Sequence, residues 1–114
     1  MTAALQGSLM VDIAGTWLTA EDRHLLRQPE VGGLIIFARN IEHPCQVREL
    51  SAAIRAVRPD LLLAVDQEGG RVARLQPPHW RTYPPGRAYG ELVANDPLVG
   101  REVTRLGARL IAHD

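Results

Sequence analysis

The chain has 114 residues, 46% of them hydrophobic, with 13 acidic side chains balancing 13 basic ones. That length suits one small domain, and a formal net charge of zero without a basic stripe argues against nucleic-acid binding through phosphate neutralisation. Every basic residue is Arg, which excludes lysine Schiff-base and P-loop chemistry, and the single cysteine, Cys45, excludes an internal disulfide or a paired-cysteine metal knuckle.

The N-terminus has no positive leader region and no run near the roughly 20 apolar residues of a membrane span, so a soluble cytoplasmic protein is expected. Residues 8–14 read as a short buried strand that Gly15 breaks. Thr19, followed by Glu21 and Asp22, caps a helix expected to reach about Gln28, where Pro29 stops it. Residues 31–37 are apolar and β-branched, hence a second strand. Pro44 suits the first position of the next helix, along which Val47, Leu50, Ile54 and Val57 share a face. Pro59 and Asp60 close it, and residues 61–65 form a third strand.

These strands are continuous apolar runs, the pattern of strands buried on both faces of a parallel sheet covered by helices. Their order is a βαβαβ unit, with right-handed crossovers expected. A long irregular stretch over residues 66–89 follows, carrying Pro77, Pro78, Pro84 and Pro85. Asp96 and Pro97 then start a helix whose buried face is expected to be Val99, Val103, Leu106 and Leu110. A fourth strand should come next, and three strands leave sheet edges open, so an incomplete larger fold is the expectation for residues 1–114.

Ligands in parallel α/β folds sit at the carboxyl ends of strands. Asp12 lies there after the first strand, Arg39 and Asn40 after the second, and residues 66–71 after the third. The last group is densest, with Asp66, Glu68, the turn-permitting Gly69 and Gly70, and the cations Arg71 and Arg74. Paired carboxylates are the equipment of glycoside hydrolysis. The same pair also fits an ion pair with Arg71 or Arg74 plus a turn cap, or a charge-assisted grip on sugar hydroxyls without catalysis, and spacing alone favours structure.

Reading Gly69, Gly70 and Arg71 as an anion nest has little support, because no GxGxxG or P-loop pattern surrounds them. His24, His43, His79 and His113 lack metal-ligand spacing, so no metal is expected. His24 and His113 read as helix-surface residues, His43 as a polar residue before a helix start, and His79 with Trp80 as loop packing. Cys45, at a helix start without an identifiable base, reads as structural. Asp12 is either a site residue or the acceptor that fixes the following turn, and Arg39 and Asn40 either face ligand or belong to a solvated loop.

Residues 62–72 (LLAVDQEGGRV), with Arg74 and Leu75, closely resemble the N-terminal part of glycoside hydrolase family 3, and within it the bacterial β-N-acetylglucosaminidases of peptidoglycan recycling. Residues 9–16 (LMVDIAGT), 18–22 (LTAED) and 31–40 (VGGLIIFARN) are similar too, so the likeness runs through nearly the whole chain in order. The resemblance implies a (β/α)8 TIM barrel, of which residues 1–114 are the N-terminal portion, about three parallel strands with their helices. It implies retaining hydrolysis of terminal β-linked N-acetylglucosamine from anhydromuramyl muropeptides by the complete enzyme, with no cofactor.

On this motif Asp66 binds sugar hydroxyls and Arg74 contacts the sugar, while Glu68 and Arg71 support the loop. The family's nucleophilic aspartate and its acid/base histidine–aspartate pair belong downstream of Asp114, after a KH-x-PGHG-like segment. No catalytic residue is therefore expected here, and the chain alone is expected to be inactive. The alternatives are a family β-glucosidase or other exo-glycosidase sharing the early barrel, and a non-catalytic carbohydrate-binding module. Acetamido specificity, set downstream, separates the first; cooperative folding of these residues alone marks the second.

Overall fold

Thr19 starts the first helix with two reciprocal bonds: its hydroxyl accepts from the Asp22 N–H at 3.1 Å, and its own N–H donates to Asp22 Oδ2 at 2.9 Å. This helix, α1 (Ala20–Leu26), lies between strands β1 (Leu9–Val11) and β2 (Val31–Ile36) in a computed structural model that describes residues 7–114. Helix α2 (Pro44–Val57) follows, with Pro44 at its start and His43 Nδ1 accepting from the Gln46 N–H at 3.2 Å as cap. Strand β3 (Leu62–Val65) completes a parallel sheet in the order β1–β2–β3. Met10 pairs with Gly33 and Gly33 with Leu62, while Leu34, Ile35 and Ile36 pair with Leu63, Ala64 and Val65. The α/β class with three parallel strands is thus present as expected.

The chain divides into two compact units, the first ending at Asp66 and the second spanning Gln67–Asp114. In the first, Leu34 and Ile36 of β2 pack with Leu26 of α1 and Leu50 and Ile54 of α2, all at most 5% exposed. Burial on both faces holds only for the central strand. Leu9 and Met10 of β1 are 55% and 47% exposed, and Leu62 of β3 is 49% exposed, which corrects the expectation of fully buried outer strands. Each outer strand has a neighbour on one side only, so its side chains lack the cover that β2 receives from both sides.

Arg58 closes α2. Its Nη1 donates to the carbonyls of Leu26 (2.9 Å) and Gln28 (3.2 Å), and its Nη2 to that of Val31 (3.2 Å), so one guanidinium ties the end of α1 to the start of β2. Asp60 holds it from the other side, with both contacts at 2.9 Å. The hydrogen bond from Arg58 holds the Asp60 carboxyl below its ordinary range.

The second unit departs from the expected irregular stretch. Strands β4 (Gln67–Gly69) and β5 (Val72–Ala73) form an antiparallel hairpin, and helix α3 (Gly86–Asn95) precedes α4 (Pro97–His113). Helix α3 went unread because Gly86 and Gly90 weaken its propensity and its apolar face, Tyr89, Leu92 and Val93, is short and only half-buried. The expected buried face of α4 is also overturned: Val99, Val103, Leu106 and Leu110 are 37–52% exposed. Its buried residues are Gly100 and Gly107, because α4 meets α3 through its smallest positions. A Cβ on Gly100 would collide with the Val93 backbone, and one on Gly107 with the Tyr89 ring.

Candidate functional site

At the carboxyl ends of β1 and β2, Asp12 pairs with Arg39 at 2.9 Å. Arg39 also donates from Nε to the Ile13 carbonyl at 3.2 Å and lies 5.0 Å from the centroid of the Phe37 ring. Both charged side chains are about half exposed, so the pair adds at most about 1 kcal/mol. Asn40 behaves differently. Its side chain is fully buried and donates to the carbonyls of Ile13 (3.0 Å) and Gly15 (2.7 Å) while accepting from the Phe37 N–H (2.9 Å). Of the two readings of Asn40, the structure selects neither solvent nor ligand; this amide fastens the β1 loop to the turn after β2.

Gln46 completes that fastening and was missed in the sequence. Its Nε2 donates to the carbonyls of Thr16 (2.9 Å) and Asn40 (2.8 Å), and its Oε1 accepts from the Glu42 N–H (2.8 Å). The available signal was spacing: Gln46 lies four and eight residues before Leu50 and Ile54, on the buried stripe of α2.

Asp66 follows β3 directly, half-buried, as the last residue of the first unit. The remaining motif residues open the second unit. Glu68 on β4 is exposed, as is Arg71 in the hairpin turn, whereas Arg74 is half-buried just past β5. Gly69 and Gly70 take φ of +80° and +57°, which side chains rarely adopt, so the glycine pair is required by the turn. The Gly70 N–H donates to the Tyr83 carbonyl at 3.0 Å.

Gln67 is a second missed residue. Its Oε1 accepts from the N–H groups of both Arg74 (2.9 Å) and Leu75 (3.0 Å), and its Nε2 donates to the Leu75 carbonyl (2.9 Å). One side-chain amide therefore fixes the backbone that carries Arg74. His79 and Trp80 meet edge to face with centroids 5.9 Å apart, in keeping with loop packing. His24 is exposed, its ring 3.3 Å from Gln28 Nε2, and Cys45 is a free, exposed thiol. Among the described residues, no group of three or more His, Cys, Asp or Glu is placed to hold a metal ion, and no helix is long and apolar enough to cross a membrane.

Residues 7–113 match the N-terminal domain of glycosyl hydrolase family 3. The chain belongs to that family. This family 3 chain is 85% identical over 72 residues to a beta-hexosaminidase of Pseudomonas aeruginosa (strain LESB58), covering 63% of this chain and 22% of that protein. It is 52% identical over 100 residues to a beta-hexosaminidase of Nitrosomonas eutropha, covering 87% of this chain and 28% of that one. Its fold matches NagZ from Neisseria gonorrhoeae, crystallised in complex with N-trifluoroacetyl-D-glucosamine, with a TM-score of 0.86 and 34% identity over 94% of this chain and 31% of that one. The family 3 chain thus spans between a fifth and a third of the length of these relatives.

Proposed function

We propose that the chain is the N-terminal part of a β-N-acetylhexosaminidase that removes terminal, non-reducing, β-linked N-acetylglucosamine from muropeptides with retention of configuration, in cytoplasmic peptidoglycan recycling. The observation that carries this reading is the match to NagZ over 94% of the chain, a protein crystallised with an N-acylated glucosamine. The relatives named beta-hexosaminidase support the same reaction class.

In this reading both units are parts of one barrel domain, with the sugar bound at the carboxyl ends of its strands. Asp66 accepts hydrogen bonds from sugar hydroxyls, and Arg74 donates to the sugar from a backbone that Gln67 holds. Glu68 and Arg71 keep the shape of the loop. A retaining mechanism needs a nucleophile and an acid/base group flanking the glycosidic bond. In this reading the rest of the complete protein supplies both, and residues 1–114 by themselves do not turn over substrate.

The test compares the complete protein on chromogenic N-acetyl-β-D-glucosaminide and β-D-glucoside. Preference for the first supports the reading. Preference for the glucoside would make the protein a β-glucosidase, and binding without cleavage would make it a carbohydrate-binding module. Asp66→Asn should lower kcat/KM by about 10- to 100-fold, the loss expected from a charged hydrogen bond worth roughly 1.5–3 kcal/mol. Arg74→Ala should act in the same direction. An unchanged kcat/KM in Asp66→Asn removes that residue from the sugar site.

A further inference from the structure

We propose that Tyr83, held by Asp114 and Arg81, is a positioning residue for the glycine turn of the β4–β5 hairpin, so that its hydroxyl tunes sugar affinity without touching the sugar. The proposal rests on the functional reading above, in which Asp66 and Arg74 contact the sugar and Glu68 and Arg71 keep the shape of the loop.

The hairpin is too small to hold its own shape. Its strands have three and two residues, and two-stranded ribbons of that size are marginal in water. It leans instead on residues 83–85. The Gly70 N–H is bonded to the Tyr83 carbonyl at 3.0 Å. The Pro84 carbonyl occupies the space a Cβ on Gly69 would need, and the Pro85 ring sits against Gly70. The turn therefore takes its position from a segment that lies outside any helix or strand.

That segment is in turn fixed by Tyr83. The residue is only 6% exposed, and its hydroxyl donates to Asp114 Oδ2 at the end of the 17-residue helix α4. Arg81 Nη1 approaches the other oxygen, Asp114 Oδ1, at 3.3 Å. The Asp114 side chain is 11% exposed, so its charge is held by these two partners with little help from water. Burial and the bond to Asp114 both push the Tyr83 phenol up, which keeps the donor proton in place at neutral pH. A line of contacts thus runs from the end of α4 through the Tyr83 side chain and carbonyl to the Gly70 amide, between Glu68 and Arg71.

Tyr83→Phe keeps the ring and deletes the hydroxyl, so it separates positioning from core filling. In the complete protein, KM for the chromogenic N-acetyl-β-D-glucosaminide should rise about 3- to 10-fold, the equivalent of one lost hydrogen bond, with kcat within about twofold. Asp114→Ala should reproduce that rise, while Asp114→Asn, which keeps an acceptor for the hydroxyl, should restore most of the affinity. Hydrogen exchange at the Gly70 amide should accelerate in Tyr83→Phe. An unchanged KM with an unchanged Gly70 exchange rate overturns the proposal, as does a fall in kcat at constant KM that merely tracks lost folded protein. A wild-type protein that neither cleaves nor binds N-acetylglucosamine defeats the functional reading and this inference with it. An active wild type indistinguishable from Tyr83→Phe defeats this inference alone.

Discussion

Three side-chain amides, on Asn40, Gln46 and Gln67, bond to backbone: the first two join loops that no strand pairing connects, and the third extends the β4–β5 pairing past its end. The Gln67 case has a direct test. Replacing it by Ala leaves the half-buried N–H groups of Arg74 and Leu75 without their acceptor, and such unmet donors cost roughly 1–3 kcal/mol each. Gln67→Ala should therefore lower unfolding free energy by about 2–3 kcal/mol in urea titration and weaken sugar binding. A variant with wild-type stability and affinity would show that the clamp is dispensable. The carboxylates and arginines of residues 66–74 were legible because charge at a strand end is a recognised pattern. The roles of the amides were not, even for Asn40, which the strand-end pattern singles out, since the carbonyls they meet are 6–30 residues away and nothing in a neutral side chain marks which carbonyl it will meet.

Elements whose ends are set by local chemistry were the legible ones. Thr19 with Asp22, and Pro44 at the start of α2, specify their helices within one turn. Where an element's face is chosen by a distant partner, the apolar period misled. Helix α4 shows a clean stripe of Val99, Val103, Leu106 and Leu110, yet it meets α3 through Gly100 and Gly107 because only glycine admits that approach. The close of α2 offers a prediction at this scale. Asp60 titrates lower in the folded protein than in the unfolded chain, because Arg58 bonds to its charged form. Its contribution is therefore complete above the unfolded value near pH 4 and is lost as pH falls through the lower folded value. Asp60→Asn should flatten the pH dependence of stability below about pH 4 while leaving the Arg58 contacts to Leu26, Gln28 and Val31 in place. Denaturant midpoints from pH 2 to 6 check this, and an unaltered acid limb would refute it.

Across the molecule, the parallel α/β order was readable because the strand runs and the capped helices alternate in sequence as they do in space. What could not be read is which apolar side chains stay open. Leu9, Met10 and Leu62 on the first unit and Leu98, Leu106 and Leu110 on the second are 45–83% exposed, large apolar side chains left open to water on each unit. The isolated 114-residue chain should therefore bind a hydrophobic dye such as ANS and self-associate in sedimentation, whereas the complete protein should do neither. A monomeric, dye-silent 114-residue chain would favour the self-standing module.

The pairing of Met10 with Gly33 carries a consequence for how this sheet can diverge among descendants. The Met10 methyl lies 2.8 Å from where a Cβ on Gly33 would stand, and the Leu62 carbonyl lies 3.2 Å from it, so positions 10 and 33 share one volume. Shortening residue 10 first opens only a surface hollow, because Met10 is already 47% exposed. Enlarging residue 33 first asks only that the flexible end of Met10 swing toward solvent, so the fixed Leu62 carbonyl, and not Met10, sets how large a side chain position 33 admits.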